Sequence, residues 1–384
     1  MGKITQINKD ILKWAREYAG LSIKEAAKKI GTSEKKVSEW EDGSDHPTFK
    51  QLNKIAYKVY KFPSAIFFFP EPPKMKNIKK EFRRMPEFEK EKIDYQMIKV
   101  IRTAHAMILN LKELNHGVNR SSKRLFRKAN LEVSSNIKKT AEVIREILGI
   151  SMETQSNWQD PAEALKQWRN RIQDDGIYVF KEAFRNDAFS GFCLYEEEFP
   201  VIYINNSTPK TRQIFTLFHE LVHLLLRKND LEIKDKSYLA FLPDEALKIE
   251  KFCNAVAAEI LVPTKDFLEI YQSTLDESSV RKAKIMADYF KVSREVIFRK
   301  MFDNNKIDLE EYRYHRKRIN EAYLENKRSS NKSEGGNYFR NKKVYLGDKY
   351  ISLVFENFRR NEIDSFEASK YLGVKVDKLA EIAS

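Results

Sequence analysis

Ile214-Phe-Thr-Leu-Phe-His-Glu-Leu-Val-His-Leu-Leu-Leu226 is an apolar run without glycine or proline, long enough for roughly three turns of helix. At about 3.6 residues per turn, His219 and His223 stack on one face, close enough for both imidazoles to hold one metal ion. Glu220 is offset along the same edge, where it can reach a water at that ion as a general base. Ile214, Phe215, Leu217 and Phe218 precede His219, and Leu224 to Leu226 follow His223, so the three polar groups are expected to be buried. Burying a polar group without a partner costs roughly 1–3 kcal/mol, and more for a carboxylate. A bound metal removes that cost.

The His-Glu-x-x-His spacing is the one zinc hydrolases use, with two ligands and a base on one helix. Such sites take three protein ligands, so one more is needed. Downstream, Ile249-Glu-Lys-Phe-Cys-Asn-Ala-Val-Ala-Ala-Glu-Ile-Leu-Val-Pro263 reads as a second apolar-faced helix ended by proline, with Glu250 and Glu259 as candidates. Glu250 shares a face with Asn254 beside small residues that let another helix approach. Glu259 lies about two and a half turns further on, so both carboxylates can partly face the same side. Cys253 is a soft donor, though its reading as a small buried hydrophobe weighs more.

Just upstream the period changes from helical to two. Ile177-Tyr-Val-Phe180, Gly191-Phe-Cys-Leu-Tyr195 and Val201-Ile-Tyr-Ile204 are short, β-branched and aromatic, and are expected to form a small sheet. An edge of that sheet can take an extended peptide as an added strand. An oxyanion stabiliser is required; Tyr195, Tyr203 and His315 are the candidates. His105 and His116 have no carboxylate or cysteine at ligand spacing and read as ordinary histidines.

The N-terminal region is a string of short helices. Ile11, Leu12, Ala15 and Ala19 give one apolar face. Ser22 then caps a helix closed by Gly31, and Ser33 caps another, Glu34 to Asp42, that turns Val37 and Trp40 inward and stops at Gly43. Two short helices joined by Gly31-Thr-Ser33 have the form of a helix-turn-helix, whose second helix presents Lys35, Lys36, Ser38 and Glu39 to a major groove. On composition alone, a small bundle with a solvated lysine face is the favoured reading.

Two resemblances bear on these alternatives. Leu21-Ser-Ile-Lys-Glu-Ala-Ala-Lys-Lys-Ile-Gly31, with Val37-Ser-Glu-Trp-Glu-Asp-Gly43 and Pro47-Thr48, resembles the helix-turn-helix of phage-repressor-type (XRE) regulators, which implies DNA binding. The sheet, the His219–His223 helix and Glu250-x-x-Cys-Asn-x-x-Ala-Ala-Glu-Ile-Leu-Val-Pro263 resemble the ImmA/IrrE family of metallopeptidases. That resemblance implies His219, His223 and Glu250 as zinc ligands and Glu220 as base. Cys253 and Val256 depart from the family's usual Ala and Phe.

The implied architecture is α+β. A helix-turn-helix domain (1–72) is followed by a basic linker and helical region (73–172), a zincin-like metallopeptidase domain with a small sheet (173–300), and a basic helical C-terminal region (301–384) with a flexible linker near 329–336. The formal charge of +14 over 384 residues favours an anionic partner such as nucleic acid. Lys79, Lys80, Arg83 and Arg84 make the first linker basic. Cys193 and Cys253 are too few for a disulfide framework, the N-terminus lacks the apolar core of a signal peptide, and Phe62-Pro-Ser-Ala-Ile-Phe-Phe-Phe-Pro70 is too short to span a bilayer. These features lead to the expectation of a cytoplasmic, zinc-dependent endopeptidase with no membrane partner. Its protein substrate is expected to be a regulator such as a transcriptional repressor. The other classes left open are a non-proteolytic transcription regulator or antirepressor, and a toxin-antitoxin or anti-phage component.

Overall fold

The computed structural model describes residues 3–60, 62, 64–72, 87–129, 131–234, 236–329 and 338–383. The basic run Lys79 to Arg84 and most of the linker near 329–336 lie outside the described residues. Contact density divides the chain into two units, Met1–Thr103 and Ala104–Ser384.

In the first unit, α1 (Lys9–Tyr18), α2 (Ile23–Ile30), α3 (Glu34–Asp42) and α4 (Phe49–Asn53) form where the turn residues place them. Ser22 and Glu25 make a reciprocal capping box on α2, Gly31 closes it at φ +77°, and Ser33 caps α3. A left-handed backbone at this tight corner suits glycine, which has no Cβ to clash. Thr48 and Gln51 repeat the capping box on α4. Ile11, Leu12, Ala15, Ala26, Ala27, Ile30, Val37 and Trp40 share one buried core, so α2 and α3 are packed as a helix-turn-helix rather than lying as independent helices.

The second unit is a four-stranded mixed sheet with helices on both faces. Its strands are β1 (Tyr178–Glu182), β2 (Phe189–Leu194), β3 (Val201–Asn205) and β4 (Asp230–Ile233), in the order β1-β3-β2-β4. β1 and β3 are parallel; β2 runs antiparallel to both of its neighbours. Strand alternation sends Val179, Cys193, Ile202 and Ile204 to one face. On the other, Phe180, Phe192 and Tyr203 pack ring on ring, and Phe180 meets Tyr350 edge-on. Three of the four strands are those the sequence periodicity predicts. The fourth is not among them: Asp230-Leu-Glu-Ile alternates faithfully, but two apolar residues between charges are too weak a pattern to stand out.

Helix α5 (Lys210–Leu225) lies against the Cys193 face, and α6 (Asp244–Leu261) packs on it. Gly191 lets α5 come this close, because a Cβ there would stand 2.4 Å from the Thr216 methyl. Helices α7 (Thr264–Ser273), α8 (Ser279–Phe290) and α9 (Arg294–Asp303) follow, with Ser293 capping α9 after a left-handed Lys291. They extend the core through Phe267, Met286, Phe290, Phe298 and Met301. No helix among the described residues is long and apolar enough to cross a membrane.

Candidate metal centre

Three elements converge on one buried point. Helix α5 supplies His219 and His223 one turn apart, both wholly buried. The first half of α6 supplies Glu250. The start of β4 supplies Asp230, which the sequence reading did not include. Its register is fixed from two sides. Asp230 pairs with Cys193 of β2, on the face that α5 covers. Two residues on, and so on the same face, buried Glu232 accepts hydrogen bonds from Thr216 (2.6 Å) and Arg212 (2.8 Å) of α5. Those bonds tie β4 to the metal helix and leave Asp230 directed at the histidines.

The Nε2 atoms of His219 and His223 are 3.1 Å apart. Glu250 Oε1 is 3.2 Å from His223 Nε2, and its Oε2 is 3.6 Å from His219 Nε2. Asp230 Oδ2 is 3.5 Å from His223 Nε2 and 3.8 Å from His219 Nε2. One donor atom from each of the four residues lies within 4.8 Å of all the others. Ligands at 2.0–2.1 Å from a tetrahedral zinc are separated by about 3.3–3.4 Å, a value bracketed by the 3.1–3.8 Å that separate the two imidazole nitrogens from each other and from the two carboxylates. The donor set, two imidazoles and two carboxylates, suits zinc or a similar divalent cation. The residues present therefore fit a metal.

Beside this group Glu220 is fully buried, and neither carboxylate oxygen has a hydrogen bond of ordinary geometry; the Cys193 thiol is the polar group set against it. Burial pushes the Glu220 carboxyl well above the usual carboxylate range, and the Asp230 charge adds to the effect. For His223 burial works the other way, but Asp230, Cys253 and Glu250 outweigh it and hold the imidazole well above its ordinary value. Burial and Asp230 push the Glu250 carboxyl up, yet the two histidines, His223 foremost, bring it below the usual value. The carboxylates of Asp230 and Glu250 thus crowd negative charge about His223, which a cation would offset.

Glu259, the other candidate on α6, turns elsewhere: it accepts from the Thr264 amide (2.8 Å) and hydroxyl (2.7 Å) and pairs with Lys300. Cys253 is buried on α6 against His223. Tyr203 stacks on Phe192 across the sheet from α5, and His315 stacks on Phe298 and pairs with Glu311. The Tyr195 amide donates to Asn229, in the turn that leads into Asp230.

Residues 172–302 match the family model described as the IrrE N-terminal-like domain, a peptidase family, and residues 12–56 match the helix-turn-helix model. The chain carries an IrrE N-terminal-like domain and a helix-turn-helix domain. The four-residue group lies within the IrrE N-terminal-like segment, and α2 and α3 lie within the helix-turn-helix segment. No curated protein and no solved structure matches the chain. On α3, Lys35 and Ser38 are exposed, Lys36 pairs with Asp45 and Glu39, and Glu39 also stands 3.9 Å from Lys35.

Proposed function

We propose that this chain is a zinc-dependent endopeptidase coupled to a DNA-binding module, and that it cleaves a regulatory protein such as a transcriptional repressor. The observation that carries this reading is a set of two imidazoles and two carboxylates whose donor atoms lie within 4.8 Å of one another, with a buried Glu220, neither of whose oxygens has a hydrogen-bond partner, on the helix that bears the histidines. His219, His223 and Glu250 would hold the metal. Bound there, zinc supplies Lewis acidity that polarises a peptide carbonyl and makes water a stronger acid. Glu220 is the general base: its raised proton affinity suits a group that takes a proton from the attacking water and delivers it to the leaving amine. Glu220 is itself wholly buried, which keeps bulk water from that transfer.

The helix-turn-helix match supports DNA as a second partner, through Lys35, Lys36, Ser38 and Glu39 of α3. Two free, buried cysteines accord with a cytoplasmic setting. Glu220→Gln tests the mechanism. The variant should bind zinc as the parent does and cleave a candidate repressor substrate roughly 10²–10⁴-fold more slowly, as loss of a general base predicts. Cleavage by the variant at the rate of a parent that does cleave would remove Glu220 from the reaction.

A further inference from the structure

Asp230 stands in the wrong place for an outer partner. A carboxylate that only orients a metal-bound histidine accepts from the ring nitrogen facing away from the metal. Here Asp230 Oδ2 lies 3.5 and 3.8 Å from the Nε2 atoms, the same nitrogens that Glu250 approaches, while both Nδ1 atoms are buried without a hydrogen-bond partner. Its position relative to the imidazoles matches that of Glu250, at 3.2 and 3.6 Å. Hydrolytic zinc sites use three protein ligands and keep the fourth position open, whereas structural sites close it with protein. This chain offers four donors.

We propose that Asp230 is a fourth metal ligand that closes the site, so that the protein as folded is a latent peptidase opened by withdrawal of this one side chain. The inference rests on the peptidase reading for its consequence, but not for the ligand assignment. Two features suit Asp230 to the role. With 17 % of its side chain exposed, against 8 % for Glu250 and none for the histidines, it is the most open of the four toward solvent. It also opens β4, an edge strand of the sheet, so rotation of its short side chain need not disturb the internal strand pairs. An extended peptide adding to β4 arrives next to Asp230, and its carbonyl competes for the same coordination position. Binding of substrate and opening of the site are thereby joined in one strand. Latency of this kind holds a peptidase silent without an inhibitor protein.

The test compares the full-length parent with Asp230→Ala and the near-isosteric Asp230→Asn, which guards against loss of folding in the first. Zinc affinity is measured by competition with a chromophoric chelator, and the coordination by the visible spectrum of the cobalt-substituted protein. Loss of a ligand should weaken zinc binding by more than about 100-fold, beyond the 10–100-fold typical of an outer partner, and should change the cobalt spectrum. Acetohydroxamate, which needs an open position, should bind the cobalt variants more tightly than the parent. A smaller loss of affinity with an unaltered spectrum overturns the proposal, as does equal hydroxamate binding by parent and variants. Cleavage of a purified candidate repressor is followed separately. Cleavage by Asp230→Ala that disappears in Asp230→Ala/Glu220→Gln upholds the peptidase reading. Absence of cleavage in both, with the metal results as expected, sinks that reading and leaves the ligand assignment standing.

Discussion

Glu250 and Glu259 lie on one helix, and their burial is almost the same, 6 % and 7 % exposed. Burial therefore says nothing about which of them has a chemical task; their surroundings do. Glu259 meets a lysine, an amide and a hydroxyl, the set of donors that satisfies a buried carboxylate, and these together keep its proton affinity low despite burial. It joins the end of α6 to the start of α7 and to α9. Glu250 faces two imidazoles and is crowded by a second carboxylate, Asp230. A like charge at that distance in a dry pocket is destabilising unless a cation lies between them. The contrast separates a carboxylate that holds the fold from one that the fold holds in readiness.

The comparison can be broken from either end. Removing Glu259 leaves Lys300 as a buried, uncompensated charge, so Glu259→Ala should lose about 3–5 kcal/mol of stability in urea unfolding. Its zinc affinity should not change. Lys300→Met in the same chain should recover part of the loss, since the orphaned charge goes with it. Loss of zinc affinity in a Glu259→Ala protein that remains folded would place both glutamates at one site. At the other end, zinc at a thousand times its dissociation constant should stabilise the parent by about 4 kcal/mol, and chelation should remove that gain. In Glu250→Ala the same zinc concentration should produce little change. A full gain there, read as the shift in thermal unfolding, would take Glu250 out of the centre.

Much of this was legible in the sequence because it is local. His219, Glu220 and His223 are set by helical spacing, and the caps at Ser22, Ser33 and Thr48 are set by side chains reaching the next turn. The choice between Glu250 and Glu259 was not local. Spacing alone left both open, because which way a helix face points depends on what packs across it; only the family likeness favoured Glu250. Asp230 was invisible for a related reason. Its strand has two apolar residues, and its place at the metal comes from pairing with Cys193 and from the Glu232 bonds to Thr216 and Arg212, contacts made across 16 or more residues of chain.

Lys181 gives the comparison its sharpest control. It is a cation rather than an anion, buried on β1, and the charged groups that act on it most, Arg169 and Lys210, have its own sign. Burial, with those two neighbours, brings its pKa down to about 6. The unfolded chain, with an ordinary lysine near 10.4, therefore binds a proton through a pH window in which the folded protein does not. Stability must rise with pH across that window, from about 6 to about 10, by at most about 1.4 kcal/mol per unit from this residue. At pH 7 Lys181→Met should be more stable than the parent, and its advantage should shrink by up to about 2.7 kcal/mol by pH 9. Urea unfolding of the two proteins at both pH values measures it. A difference that does not move with pH would mean that Lys181 keeps its proton at this buried position, against the effect of burial and of Arg169 and Lys210.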